Sequence, residues 1–334
     1  MLYAKDGRQE SLLIRGARVI DPGEGVDATL DVRVDEGTIA QLGTSLDPNG
    51  HRVVEGAGLV LAPAFVDPHV HLRVPGREDE ETLVSGTRAA AAGGYCAILA
   101  MPNTDPVVDS AAVLGTLVQD ARTEAEVPVG FFAAITKGTN GAELTEMAEL
   151  AGQGAVGFTD DGHPVVAPGL MRRALQYGAV TGRPLALHCE EPTLSRGGHI
   201  HEGPVSAELG FGGYPAVAES VMVERDLSLA AYEEQPLHLL HLSARESVEA
   251  LARAQAAGVK AGRSAGGAVA DVDDLQCGVA VRSDDLGPVP HVDVRPCGEL
   301  VDEVLRHALL EAVTPIENGH ASGVGREEHR SLPG

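Results

Sequence analysis

The sequence predicts an α/β fold: a (β/α)8 barrel of the TIM type, incomplete at the C-terminus, behind a small N-terminal unit resembling half of a β-sandwich. Three observations lead there. From Ala64 onward, eight short apolar runs alternate with alanine-rich amphipathic segments, as βα repeats do. In six of them the polar residues gather at the C-terminal end, the face on which barrel active sites are built. No Gly-rich phosphate loop of Rossmann or Walker spacing follows any run, so the spacing favours a barrel over an open doubly wound sheet.

The elements follow in order. Residues 11 to 62 alternate polar and apolar positions between turn clusters: SLLIRGARVI, DPGEG, ATLDVRVDEGTIAQLG and HRVVEGAGLVLAP. Period-two runs of this kind predict short strands, which sets residues 1–62 apart as a β unit and 63–334 as the barrel. The barrel strands are AFVDPHVH, YCAILAMPN, VPVGFFAAIT, GAVGFTDD, RPLALHCE, PLHLLHLS, VKAGRSAG and, least regular, AVTPIENGHAS. Stretches between residues 260 and 290, such as SAGGAVADVDD and RSDDLG, read as loop.

Composition narrows the function. The chain has 334 residues, 43% of them hydrophobic, enough for a substantial core. Its net charge is −24, and Lys5, Lys137 and Lys260 are its only lysines, which disfavours nucleic acid and anionic membranes as partners. The N-terminus lacks an apolar leader core and no run is long enough to span a bilayer, so a cytoplasmic protein is expected. Cys96, Cys189, Cys277 and Cys297 lack CxxC spacing, which fits reduced thiols.

The chemistry lies at the strand ends. His69 and His71 are two apart in AFVDPHVHLRVPG, so on a strand they project to the same side and two imidazoles can grip one divalent ion. Alone, such a pair reads equally well as two hydrogen-bonded core histidines. Other strand ends change this: GFTDDG ends in Asp160 and Asp161, LALHCE places His188 at its end, and LHLLHLS places His241 at its end. Four histidines and a carboxylate at one end of a barrel make a ligand set for two closely spaced metals.

DPHVHLRVPG, MPNTDPVVDS, FTDDGHPV, HCEE and HLS, in this order, resemble dihydroorotase, the cyclic amidohydrolase of pyrimidine synthesis, in its longer bacterial form. The likeness spans roughly residues 10 to 260, and the HLR tripeptide points to dihydroorotase rather than to hydantoinases or allantoinases. The resemblance implies that His69 and His71 hold one metal, His188 and His241 a second, and that Asp161 bridges them. It implies one or two divalent ions, zinc foremost, and it casts Arg73 and Asn103 as ligands of the substrate carboxylate, for which a guanidinium fork is well suited. By itself Asn103 in PNTDP reads as a turn residue.

After about residue 260 the likeness decays. The nearest counterpart of the family's substrate-binding asparagine segment is VDVRPCGE, which offers Arg295. Where the family carries TDHAPH, with its metal-binding general base, this chain has NGHASG: Gly319 replaces the aspartate and Gly323 the last histidine. Glu317, two places upstream, is the one nearby carboxylate and the substitute candidate for the base. Strands that would return to complete the N-terminal β unit are missing from this reading, and exposed edges call for a covering chain. The expectation is a catalytically impaired, structural homologue, a pseudoenzyme accompanying aspartate carbamoyltransferase or self-associating. The alternative is an active enzyme that hydrolyses L-dihydroorotate reversibly to N-carbamoyl-L-aspartate.

Overall fold

A computed structural model of the chain describes residues 1–7, 10–265 and 279–282. The N-terminal strands are β1 (Leu12–Asp21), β2 (Val26–Asp35), β3 (Thr38–Gly43), β4 (Arg52–Glu55) and β5 (Val60–Pro63). In β1 and β2 one face supplies Leu12, Ile14, Ala17, Val19, Val32 and Val34 to a separate small core that Leu61 completes. A bulge between Ile14 and Ala17 is set by Gly16 at φ 71, whose N–H donates to Asp31 Oδ1 at 2.8 Å. Glu36 and Gly37, both with positive φ, make the two-residue turn from β2 to β3, as strand twist favours.

The parallel sheet is built from β6 (Phe65–Val70), β7 (Tyr95–Ala100), β8 (Val129–Ala133), β9 (Gly157–Phe158), β10 (Leu185–Leu187), β13 (Leu237–Leu242) and β14 (Ala261–Ala265). These seven strands lie side by side in chain order. Helices α1 (Leu83–Ala92), α2 (Ala111–Glu124), α3 (Met147–Gln153), α4 (Pro168–Thr181), α7 (Val217–Glu233) and α8 (Arg245–Ala256) fill the crossovers. Between β10 and α7 lie the short α5 (Pro192–Ser195), β11 (Ile200–His201), α6 (Pro204–Leu209) and β12 (Gly213–Tyr214). The result is an incomplete TIM-type barrel: among the described residues β6 and β14 do not pair with each other.

Alternation along each strand sorts the core into two layers. Ile98, Phe131, Leu185 and Leu239 pack outward with the helices, whereas Leu99, Phe132, Val156, Ala186 and Leu240 form an inner cluster. Strands buried on both faces read as continuous apolar runs, which is why seven of the eight runs proved legible. The eighth lies outside the described residues.

Two features depart from the sequence reading. Val279–Arg282 forms β15, which adds antiparallel to β5, so a strand does return to the N-terminal sheet. Four residues of VAVR are too few to display a period beside Gly-rich and acidic loop sequence. The N-terminus is also structural: Tyr3 and Val129 exchange backbone hydrogen bonds of 2.9 and 2.8 Å, and Leu2 packs on the inner cluster. Among the described residues no helix is long and apolar enough to cross a membrane.

Candidate metal centre

The predicted ligands stand together at the C-terminal ends of the parallel strands. His69 is in β6 with His71 just past its end, Asp161 follows β9, His188 follows β10, and His241 is near the end of β13. Asp160 and Asp161 diverge, as neighbours on an extended chain must. Asp160 turns to the loop after β8, accepting from the backbone N–H of Thr136 at 2.9 Å and from its hydroxyl. Burial pushes the Asp160 carboxyl up to about 6 against those hydrogen bonds. Asp161 faces the histidines.

Around Asp161 the potential ligand atoms form two triads, His69/His71/Asp161 and Asp161/His188/His241. In the first, His69 Nε2 and His71 Nε2 are 3.3 Å apart, and each is 3.5 Å from Asp161 Oδ2. In the second, His188 Nδ1 lies 3.1 Å from His241 Nε2, with Asp161 Oδ1 at 3.3 Å from His241 and 3.9 Å from His188. Ligands about 2.0–2.1 Å from a tetrahedral zinc ion lie roughly 3.3–3.4 Å from one another. Five of the six separations, 3.1–3.5 Å, lie near that spacing and His188 to Asp161 is wider at 3.9 Å, so the residue types and their grouping fit a divalent cation. Burial alone would raise the Asp161 carboxyl, but hydrogen bonds with His241 and His69 outweigh it and hold the group far below the usual carboxylate range.

Surrounding groups aim the imidazoles. His71 Nδ1–H donates to Asn103 Oδ1 at 2.9 Å, and Asn103 Nδ2 donates to Asp161 Oδ2 at 3.3 Å. His188 Nε2–H donates to Glu190 Oε2 at 2.9 Å, while the other Glu190 oxygen accepts from the Ser195 hydroxyl. Each arrangement leaves the opposite ring nitrogen with a bare lone pair facing the triad. Burial, more than the Asn103 hydrogen bond offsets, holds the His71 pKa below its ordinary value. His241 is turned inward at φ 34 by a register slip between β13 and β14, and its N–H donates to Ser264 Oγ at 3.2 Å. A non-glycine residue in that conformation is strained, and strain of this kind gathers at functional sites.

A family model described as Dihydro-orotase-like matches residues 58–247, more than half of the chain. The chain belongs to the dihydroorotase-like family. Among curated dihydroorotases it is 44% identical to that of Geobacter metallireducens over 251 residues, covering 75% of this chain and 59% of the relative. It is 39% identical to that of Solibacter usitatus over 323 residues, covering 95% and 73%. The chain thus spans about three fifths of the length of several of these relatives. Among solved structures it is similar to L-hydantoinase from Arthrobacter aurescens, with a TM-score of 0.63 at 20% identity over 77% of this chain and 58% of that one. That likeness concerns the fold.

In this dihydroorotase-like chain Arg73 stands beside the triads at φ 60, half-exposed, its Nε 3.5 Å from Glu80 Oε2. Asn103, expected to meet substrate, is engaged with His71 and Asp161. Glu317, Arg295, Gly319 and Gly323 lie outside the described residues. Glu190, Ser195 and Ser264 escaped the sequence reading. For Glu190 a signal existed: it is two places after His188 in HCEE and shares that residue's face.

Proposed function

We propose that the chain holds one or two divalent cations, zinc foremost, on His69, His71, Asp161, His188 and His241, and that it is a catalytically impaired dihydroorotase homologue. The convergence of two ligand triads on one shared carboxylate supports the metal reading. A divalent ion bound there supplies Lewis-acid polarisation of an amide carbonyl and acidifies water. The chain's own residues do the rest. Arg73 and Asn103 are the residues that would meet the carboxylate of L-dihydroorotate, Arg73 through its guanidinium fork, while Asn103 also bonds His71 and Asp161. Taking a proton from the attacking water and passing it to the ring nitrogen as the amide bond breaks needs a base that then serves as the acid, and Gly319 stands where the resemblance expects one. Glu317 is a weak candidate for that base, and loss of a positioned base lowers the rate by roughly 10²–10⁴-fold.

The role left to such a chain is structural, in the cytoplasm, beside aspartate carbamoyltransferase or a second copy of itself. A division near residue 62 into a β unit and a barrel fits that role, since the N-terminal sheet has its own core. The second reading is a working dihydroorotase, favoured by the full complement of histidine ligands. Elemental analysis of the purified chain, beside assays of dihydroorotate hydrolysis and carbamoyl aspartate cyclisation, decides between them. Bound zinc with turnover at least a hundredfold below an ordinary dihydroorotase is expected. Full turnover abolished by Glu317→Gln establishes the second reading, and absence of metal uptake overturns both.

A further inference from the structure

The two triads are not supported alike. His188 donates through Nε2–H to a carboxylate, Glu190, whose other oxygen is tied to the Ser195 hydroxyl. His71 leans on a neutral amide oxygen of Asn103. The buried Nδ1 of His69 has no hydrogen-bond partner among the described residues. We infer that Glu190 is the positioning residue that makes Asp161/His188/His241 the tighter of two unequal cation sites, an inference that rests on the metal-binding reading above.

The local fold explains why this carboxylate is available. Residues 188 and 190 share one face, while Cys189 between them is buried on the other. In HCEE the adjacent glutamates then divide the work: Glu191 accepts from the N–H groups of Thr193 and Leu194 and caps α5, while Ser195 at the end of that helix holds Glu190 in place. A carboxylate behind an imidazole does two things to a ligand. It fixes the proton on the far nitrogen, and it makes the near nitrogen a better donor to a cation. Neither acts with equal strength on His69 or His71.

The test is a zinc titration of the full metal-stripped chain against a chromophoric chelator. Two affinities are expected, the tighter lost in His188→Ala and the weaker lost in His69→Ala. Glu190→Gln should weaken only the tighter step, and Glu190→Ala more so, reaching roughly 10–100-fold. Ser195→Ala should weaken the same step by less, and serves if the Glu190 variants fail to fold. Nitrogen-15 NMR of the metal-free chain should show His188 as the Nε2–H tautomer, mixed in Glu190→Ala. Equal loss at both steps, or no change at either, overturns the assignment, as does a tighter step that survives His188→Ala. No zinc uptake by the unaltered chain overturns the metal reading itself.

Discussion

Replacing Asp161 by Asn is the perturbation that probes the centre most directly, because this one carboxylate belongs to both triads. Changing a partner that merely orients a ligand typically costs 10–100-fold in affinity. A charged ligand shared by both halves should therefore cost about 100-fold or more in each. At a free zinc concentration about 100 times the wild-type Kd, binding stabilises the folded chain by about 2.7 kcal/mol. A 100-fold weaker variant at the same concentration retains about 0.4 kcal/mol, since its ligand-to-Kd ratio falls to about one. At about 2 °C per kcal/mol, the zinc-induced rise in Tm should shrink from about 5 °C to under 1 °C. Thermal melts of the metal-stripped protein, with and without zinc, measure the difference, and His69→Ala and His188→Ala serve as single-half controls. The reasoning is refuted if Asp161→Asn keeps the full zinc-induced rise, or if it behaves no differently from His69→Ala, which leaves the tighter triad intact.

Two further outcomes concern the scaffold. A Cβ at Gly154, where φ is 114, would come within 1.9 Å of the Tyr3 hydroxyl oxygen, so Gly154→Ala should cost about 2–4 kcal/mol from backbone strain and overpacking together. Adding Tyr3→Phe removes the clashing atom and should recover the overpacking part; denaturant titrations giving additive losses would show that the N-terminal segment does not pack there. Asp226 is buried in α7 against Arg225 and Cys189, and burial pushes it from 3.8 up to about 6. A carboxyl raised on folding adds stability that is fully present below about 3.8 and is lost as pH rises through about 6, on the order of 3 kcal/mol. Asp226→Asn should flatten stability between those pH values, and an unchanged slope would assign it to other groups.

How much of this molecule could be read from its chain depends on the range of the interaction. Strand runs such as YCAILA and VGFFA are legible because a strand covered on both faces must be apolar at consecutive positions. His69, His71, Asp161, His188 and His241 are legible because a parallel strand delivers its C-terminal end to the same rim each time. What local pattern does not carry is which rim groups touch. Asn103 looked like a turn residue or a substrate ligand, and only the approach of β6, β7 and β9 brings it against both His71 and Asp161. The inward turn of His241 arises from a slip between two strands, and no single strand records its register with a neighbour. The pairing of Tyr3 with Val129 and of Val279–Arg282 with β5 joins segments more than 100 residues apart. Backbone hydrogen bonds make both pairings, and since every residue type offers a carbonyl and all but proline an N–H, side-chain identity gave no warning.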